Sequence, residues 1–184
     1  NGGQSSIQYH GMMDGAEIAP LPDGGYAYMS NAEKGSGRGG VYGLYFTEDG
    51  EIIDYKALLT GTSRNCGGGM SPWNTWISCE EVSGGQCWQV EPDPNKPNHF
   101  SPRRTLLGGA SGGAYETVAV DNTNKKKPVF FTTKDSSDAP RNPTKHSQFQ
   151  APSVLSQYAF ASQKFVVSSN LHSSISVQEK PFPS

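Results

Sequence analysis

The sequence predicts an all-β protein, and three observations carry that prediction. Its 184 residues include 22 Gly and 13 Pro, which suits many tight turns; eight Tyr and eight Phe favour strands; and apolar and aromatic runs without helical periodicity recur between strong turn signals. In chain order, Pro22-Asp23-Gly24-Gly25 divides residues 17–21 from 26–30, and Glu48-Asp49-Gly50 divides 40–46 from 52–59. Each pair reads as a β-hairpin, because Asp and Gly supply the backbone conformations that tight turns need. Further on, Ser83-Gly84-Gly85 joins 75–80 to 86–91, and a loop over 121–127 joins 116–120 to 129–133. The result is about eight short strands in consecutive hairpins without helical crossovers. A sandwich, a barrel or a propeller would each accommodate them, and spacing does not choose.

Length allows one ordinary domain or a piece of a larger one. Lys+Arg 15 against Asp+Glu 17 gives a net charge of -2. With no basic stripe, nucleic acid is not an expected partner. The cationic run from Lys125 to Lys127 follows Asp121-Asn122-Thr123-Asn124 and reads as a solvated hairpin tip. No segment resembles a signal peptide, and no run of about 18 apolar residues would cross a membrane. Composition changes near Asp138: all 22 glycines lie at or before Gly113, and Glu179 is the single acidic residue after Asp138. Residues 1–140 are therefore read as the folded unit. Residues 141–184 are read as a weakly structured Ser/Gln-rich tail, with one extra strand at 164–168, or a misread or unrelated terminus attached to a truncated domain, as alternatives.

Chemistry concentrates in the Gly-rich centre. Arg64-Asn65-Cys66-Gly67-Gly68-Gly69 is followed by Ser71-Pro72-Trp73-Asn74-Thr75-Trp76-Ile77-Ser78-Cys79-Glu80-Glu81. A thiol beside three glycines places a soft ligand on a backbone able to approach an ion or phosphate closely. The competing reading is a tight loop with a buried Cys66 and two exposed glutamates. Glu80 and Glu81 cannot both face inward from a strand, since side chains alternate. Three cysteines, Cys66, Cys79 and Cys87, cannot all pair within one chain, so a disulfide framework is not expected and at least one thiol is left over. Acids also recur at turn or strand positions, at Asp14, Glu17, Glu33, Glu116, Asp135 and Asp138, with Asn31 among them. Gly35-Ser36-Gly37-Arg38-Gly39-Gly40 satisfies G-x-G-x-x-G but precedes a β-rich run, so it reads as a connection and not a dinucleotide loop. His10, His99, His146 and His172 lack metal spacing and are expected on surfaces or in turns.

Asp23-Gly24-Gly25-Tyr26, Ser30-Asn31-Ala32-Glu33, Gly37-Arg38-Gly39-Gly40-Val41 and Thr62-Ser63-Arg64-Asn65-Cys66-Gly67-Gly68 resemble, in order, motifs of the PhoX-type alkaline phosphatase family. The Pro72 to Glu81 stretch is similar to that family's most distinctive signature. Tyr115-Glu116-Thr117-Val118-Ala119-Val120-Asp121 resembles the next one, and Thr133-Lys134-Asp135-Ser136-Ser137-Asp138-Ala139-Pro140 the acidic strand end after it. The resemblance covers about residues 12–140. It implies part of a six-bladed β-propeller in a secreted or periplasmic enzyme that hydrolyses phosphate monoesters with ferric iron and calcium. Under it, Cys66 is the thiolate bridging two irons, Asn31, Glu81, Glu116 and Asp135 supply oxygen ligands, and Asp14, Glu33 and Glu80 are reserves. Cys66, Glu81 and Glu116 are then the catalytic set, and small phosphate esters are the substrates.

The chain departs from the family pattern at Tyr115, where a His is usual, and at Lys134, where an acid is usual. A further Arg and Glu from later blades have no match here, so the site is expected to be incomplete. Two other classes stay open: a non-catalytic, metal-stabilised propeller segment that binds a ligand or partner, and a calcium-dependent lactonase. The lactonase does not need a thiol.

Overall fold

In the computed structural model, residues 9–96, 99–124 and 128–135 and the backbone of 153–154 are described. Their strands run in three antiparallel meanders. The first sheet holds β1 (Met13–Pro20), β2 (Tyr26–Ala32), β3 (Gly39–Phe46) and β4 (Ile52–Thr62), in that spatial order. The second holds β5 (Asn65–Met70), β6 (Trp76–Glu80), β7 (Cys87–Val90) and β8 (Arg103–Arg104), again in order. The third pairs β9 (Tyr115–Asp121) with β10 (Val129–Lys134), and β10 with β11 (Ser153–Val154). A 3-10 turn at Leu106–Gly108 links the second and third sheets, capped by the Thr105 hydroxyl, which accepts from the Leu107 N–H.

Turn chemistry sets the hairpin ends as the sequence predicts. The Leu21 N–H bonds to the Gly25 carbonyl at 2.9 Å and the Thr47 N–H to the Glu51 carbonyl at 2.9 Å, closing the β1–β2 and β3–β4 connections. Gly35 to Arg38 forms a turn between β2 and β3, not a nucleotide cradle. Lys125 to Lys127 and the proposed strand at 164–168 lie outside the described residues.

Two corrections concern local structure. The Gly-rich centre is not a loop: Asn65–Met70 is strand β5, and Cys66 leaves from it. Its glycines serve close packing between strands: a side chain on Gly67 or Gly69 would collide with β9 of the neighbouring sheet, and one on Gly68 with Trp76 and Ile77 of β6. His10 is not a surface residue either. It is buried, stacked on Tyr42 with centroids 4.4 Å apart, and its ring nitrogens face the Tyr55 hydroxyl and the Asn31 carbonyl. His99 is exposed, as expected, while His146 and His172 lie outside the described residues.

The second sheet is the middle layer. One core joins Ala19, Ala27, Met29, Val41, Tyr45 and Leu59 of the first sheet to Trp76 and Val90 of the second. The other joins Ile77, Cys79 and Cys87 to Leu107, Tyr115, Val118 and Phe130. Trp76 and Ile77 are adjacent and point to opposite cores, so every residue of β6 is buried. Each fully buried large side chain contributes about 1.5–3 kcal/mol relative to exposure. The opening strands β1, β5 and β9 stand at one edge of their respective sheets, with β5 against both β1 and β9. This arrangement positions the site.

Candidate metal centre

The three sheets repeat one local device. β1 pairs Met13 with Ala32 and resumes at Ala16 with Ser30; β5 pairs Asn65 with Glu80 and resumes at Gly68 with Ser78; β9 pairs Tyr115 with Lys134 and resumes at Val118 with Thr132. In each, the opening strand carries one extra residue, a β-bulge, at Asp14-Gly15, Cys66-Gly67 and Glu116-Thr117. Bulges re-aim side chains, and here each bulge aims a potential ligand. The second strand of each sheet is followed at once by an acid: Glu33 after Ala32, Glu81 after Glu80, Asp135 after Lys134.

Adjacent opening strands bring the bulges together. A Cβ on Gly15 would stand 2.8 Å from the Gly67 Cα, and one on Gly67 would stand 2.8 Å from the Thr117 Cβ. Only residues without side chains permit that approach. The Cys66 sulfur consequently lies 3.3 Å from Asp14 Oδ2 and 3.2 Å from Glu116 Oε1. Among the described residues two groups have the spacing of a cation site, Asp14 with Glu33 and Cys66, and Cys66 with Glu81 and Glu116, and both use the Cys66 sulfur. Ligand atoms within each group lie within 4.8 Å of one another.

The electrostatics suit a cation. Burial pushes the Cys66 thiol well above its usual pKa, with Glu116 and Asp14 adding to the effect. One S–H serves only one of those carboxylates at a time. Burial also raises Glu81, opposed by Arg64 and reinforced by Glu116 and Asp135. Arg64 bridges the two groups, its Nη2 3.3 Å from Glu33 Oε1 and 3.2 Å from Glu81 Oε2. Its backbone sits in the left-handed region at φ 49, fixed by its N–H to the Lys34 carbonyl and by its carbonyl to the Glu81 N–H. Carboxylates with a shared thiolate combine hard and soft donors, which a transition-metal ion accepts and a hard ion such as calcium accepts on its oxygen side.

The predicted residues do not all converge. Asn31 lies beside the centre, but its side chain is already engaged: Nδ2 donates to the Cys66 and Gly67 carbonyls at 2.6 and 2.8 Å, and Oδ1 accepts from the Trp76 indole at 2.9 Å. It holds the bulge that presents Cys66. Asp14 and Glu33 stand in the centre, and exposed Asp135 faces Glu81. Glu80 points elsewhere. Its oxygens accept from the Ser63 and Gln86 N–H groups and from the Trp88 indole, so this buried carboxylate fixes the β6–β7 hairpin. The competing sequence reading of two exposed glutamates fails, since Glu80 is 8% exposed and Glu81 is half-buried.

Tyr115 is a core residue whose hydroxyl donates to the Gly108 carbonyl at 2.9 Å. Lys134 lays its ammonium over the Tyr115 ring, 4.9 Å from its centroid. The two surface clefts, one around Lys56, Val90 and Phe100 and one around Pro20, Asn74 and Lys96, share no residue with the centre. The sequence reading missed Arg64, the Asn31–Trp76 link and the repeated bulge. A glycine directly after Asp14 and after Cys66 was the available signal for the last of these.

Residues 53–87 match the family model of alkaline phosphatase PhoX. That segment contains most of β4, all of β5 and β6, and hence Cys66, Glu80 and Glu81. The PhoX likeness therefore falls on the middle sheet, whose bulge carries the shared sulfur. No curated protein and no solved structure matches the chain.

Proposed function

We propose that the chain contributes to metal-dependent hydrolysis of phosphate monoesters, as part of a PhoX-like β-propeller with a site completed by residues beyond those assembled here. The observation that carries this reading is the pair of ligand groups sharing the Cys66 sulfur. A thiolate bridging two cations is the arrangement the PhoX resemblance implies, and the family-model match supports it at the same strand. On this reading the three meanders are blades, β1, β5 and β9 are their innermost strands, and the repeated bulges face a central channel. Apart from β11, which pairs with β10 in the third sheet, residues 141–184 are proposed to lie outside the propeller.

Ferric iron and calcium are the proposed ions, held by Cys66 with Glu81 and Glu116 on one side and Asp14 and Glu33 on the other, with Asp135 beside Glu81. When bound, such ions neutralise phosphoryl oxygens, raise the acidity of a nucleophilic water and stabilise the departing alkoxide. The chain's own groups supply position. Asn31 fixes the backbone at Cys66, and Arg64, exposed at the rim, offers a planar donor set that pairs with phosphoryl oxygens. Hydrolysis breaks the ester P–O bond, places the water oxygen on phosphorus and returns a proton to the alcohol.

A secreted or periplasmic location and small phosphate-ester substrates belong to the same proposal. Among the described residues no helix is long and apolar enough to cross a membrane. The thiol at the centre favours this chemistry over a calcium lactonase, which needs oxygen ligands alone. The test is elemental analysis of the purified, dialysed chain beside a p-nitrophenyl phosphate assay with calcium added. Iron, calcium and turnover together support the phosphatase. Calcium alone without turnover favours a non-catalytic, metal-stabilised segment.

A further inference from the structure

Cys79 and Cys87 take no part in the metal centre, yet they lie directly opposite each other on β6 and β7. The Glu80 N–H bonds to the Gln86 carbonyl at 2.9 Å, which makes that neighbouring pair the hydrogen-bonded one. Cys79 and Cys87 therefore form a non-hydrogen-bonded pair, the kind that brings facing side chains closest, with Cα atoms about 4.5 Å apart. The Cys87 carbonyl turns the other way, accepting from the Thr105 N–H and hydroxyl. Their sulfurs are 3.6 Å apart and both residues are fully buried. Cα atoms at that spacing fall within the range a disulfide spans. The Glu80 carboxylate, bound to the Gln86 N–H and the Trp88 indole, holds this register.

We propose that Cys79 and Cys87 form a cross-strand disulfide when the chain folds in an oxidising environment, leaving Cys66 as the single free thiol. The inference does not depend on the phosphatase reading. The two thiols lose two protons and two electrons; the electrons reduce a small-molecule disulfide such as oxidised glutathione to two thiols through a mixed disulfide. Burial closes the pair to exchange once folded, so the bond forms while the β6–β7 hairpin is still accessible. Its consequence is a division of labour: two sulfurs consumed in the core and one kept for the centre. An oxidising compartment then no longer threatens Cys66 with a partner from the neighbouring hairpin.

The test is to refold the full chain in a reduced and oxidised glutathione buffer, alkylate remaining thiols under denaturing conditions, and map the peptides without reduction. Cleavage after Glu80 or Glu81 separates Cys79 from Cys87, and chymotryptic cleavage after Trp73 or Trp76 separates Cys66 from Cys79. The expected product is a linked Cys79 and Cys87 pair with Cys66 alkylated, and the same link in Cys66→Ser. Alkylation of all three cysteines, or any link that contains Cys66, would overturn the proposal. Metal content and phosphatase turnover do not enter this readout, so its failure is separate from failure of the functional reading.

Discussion

The Trp76 indole donates to the Asn31 side-chain carbonyl at 2.9 Å, tying the core between the first two sheets to the residue that holds the Cys66 bulge. Asn31 spends its amide hydrogens on the Cys66 and Gly67 carbonyls. Asn31→Ala removes a hydrogen-bond partner from two buried groups, the Cys66 carbonyl and the Trp76 indole, and from the half-buried Gly67 carbonyl, each buried loss costing about 1–3 kcal/mol. Trp76→Phe leaves one, the Asn31 side-chain carbonyl, and also opens a cavity in the core between the first two sheets. Chemical denaturation should show a loss of stability in both, and metal content should fall further in Asn31→Ala, which alone releases the Cys66 bulge. Equal metal content in the two variants would mean that the amide contacts on the Cys66 bulge do not position the sulfur.

Gly67 is a point of close approach between the second and third sheets, where an added Cβ would meet the Glu116 carbonyl and the Thr117 side chain. Gly67→Ala must push β5 and β9 apart, at a cost of about 1–3 kcal/mol. Gly61, with open space around its missing Cβ but φ 80, loses only backbone compatibility on substitution. Gly67→Ala should therefore reduce both stability and metal uptake, whereas Gly61→Ala should reduce stability alone. Metal content measured on the two variants separates the cases.

His10 gives the fold a pH dependence. Burial holds its pKa below the ordinary value, with Lys34 contributing and the Asn31 carbonyl opposing. A depressed folded pKa means the folded state prefers the neutral ring, so this stabilisation is present above the unfolded pKa and is lost as pH falls through the folded one. With metal removed by chelation, the stability of the native chain relative to His10→Gln should decline between about pH 7.5 and pH 5. A difference that stays flat over that window would refute a buried neutral His10.

Turn chemistry made the hairpins legible in the sequence: Pro22 to Gly25, Glu48 to Gly50 and Ser83 to Gly85 all fall between strands. Strand β5 was not legible, because Asn65-Cys66-Gly67-Gly68-Gly69 has no alternation and glycine disfavours strands in isolation. Tertiary packing decides it: those glycines are required by β9 and β6 pressing from either side, and a single sequence does not display its neighbours. The same limit hid the role of Asn31. Its residue type fits an oxygen ligand, but only the fold brings the Trp76 indole to its carbonyl. Cys66, Glu81 and Glu116 were legible as a chemical set through family resemblance, whereas Asp14 and Glu33 gained their place through the bulge and the strand ends.

Cys66 is shared by both ligand groups, so its substitution bears on both. Cys66→Ser replaces a soft donor with a hydroxyl that stays protonated and bridges cations poorly. The proposed oxygen ligands Asp14, Glu33, Glu81 and Glu116 are untouched. Iron should be lost while calcium is partly kept, read by elemental analysis of the dialysed variant. Iron retained at native stoichiometry would remove Cys66 from the ligand set.

Glu80 and Glu81 offer the sharpest separation of structure from chemistry, because they are adjacent and leave β6 on opposite sides. Glu80 accepts from the Ser63 and Gln86 N–H groups and from the Trp88 indole, and is buried. In Glu80→Gln one oxygen becomes a donor facing donors, which should cost about 1–3 kcal/mol of stability. Glu81 has one ion pair, to Arg64, and stands with Cys66 and Glu116. Burial and the neighbouring Glu116 and Asp135 already disfavour its charge, with only Arg64 opposing, so neutralising it relieves repulsion in the metal-free chain. Glu81→Gln should therefore leave metal-free stability unchanged or slightly raised, while metal uptake and any phosphatase turnover fall. Measuring the unfolding midpoint with and without chelator for both variants gives the outcome: if Glu80→Gln loses metal at full stability, or Glu81→Gln unfolds without losing metal, the assignment of the two glutamates is reversed.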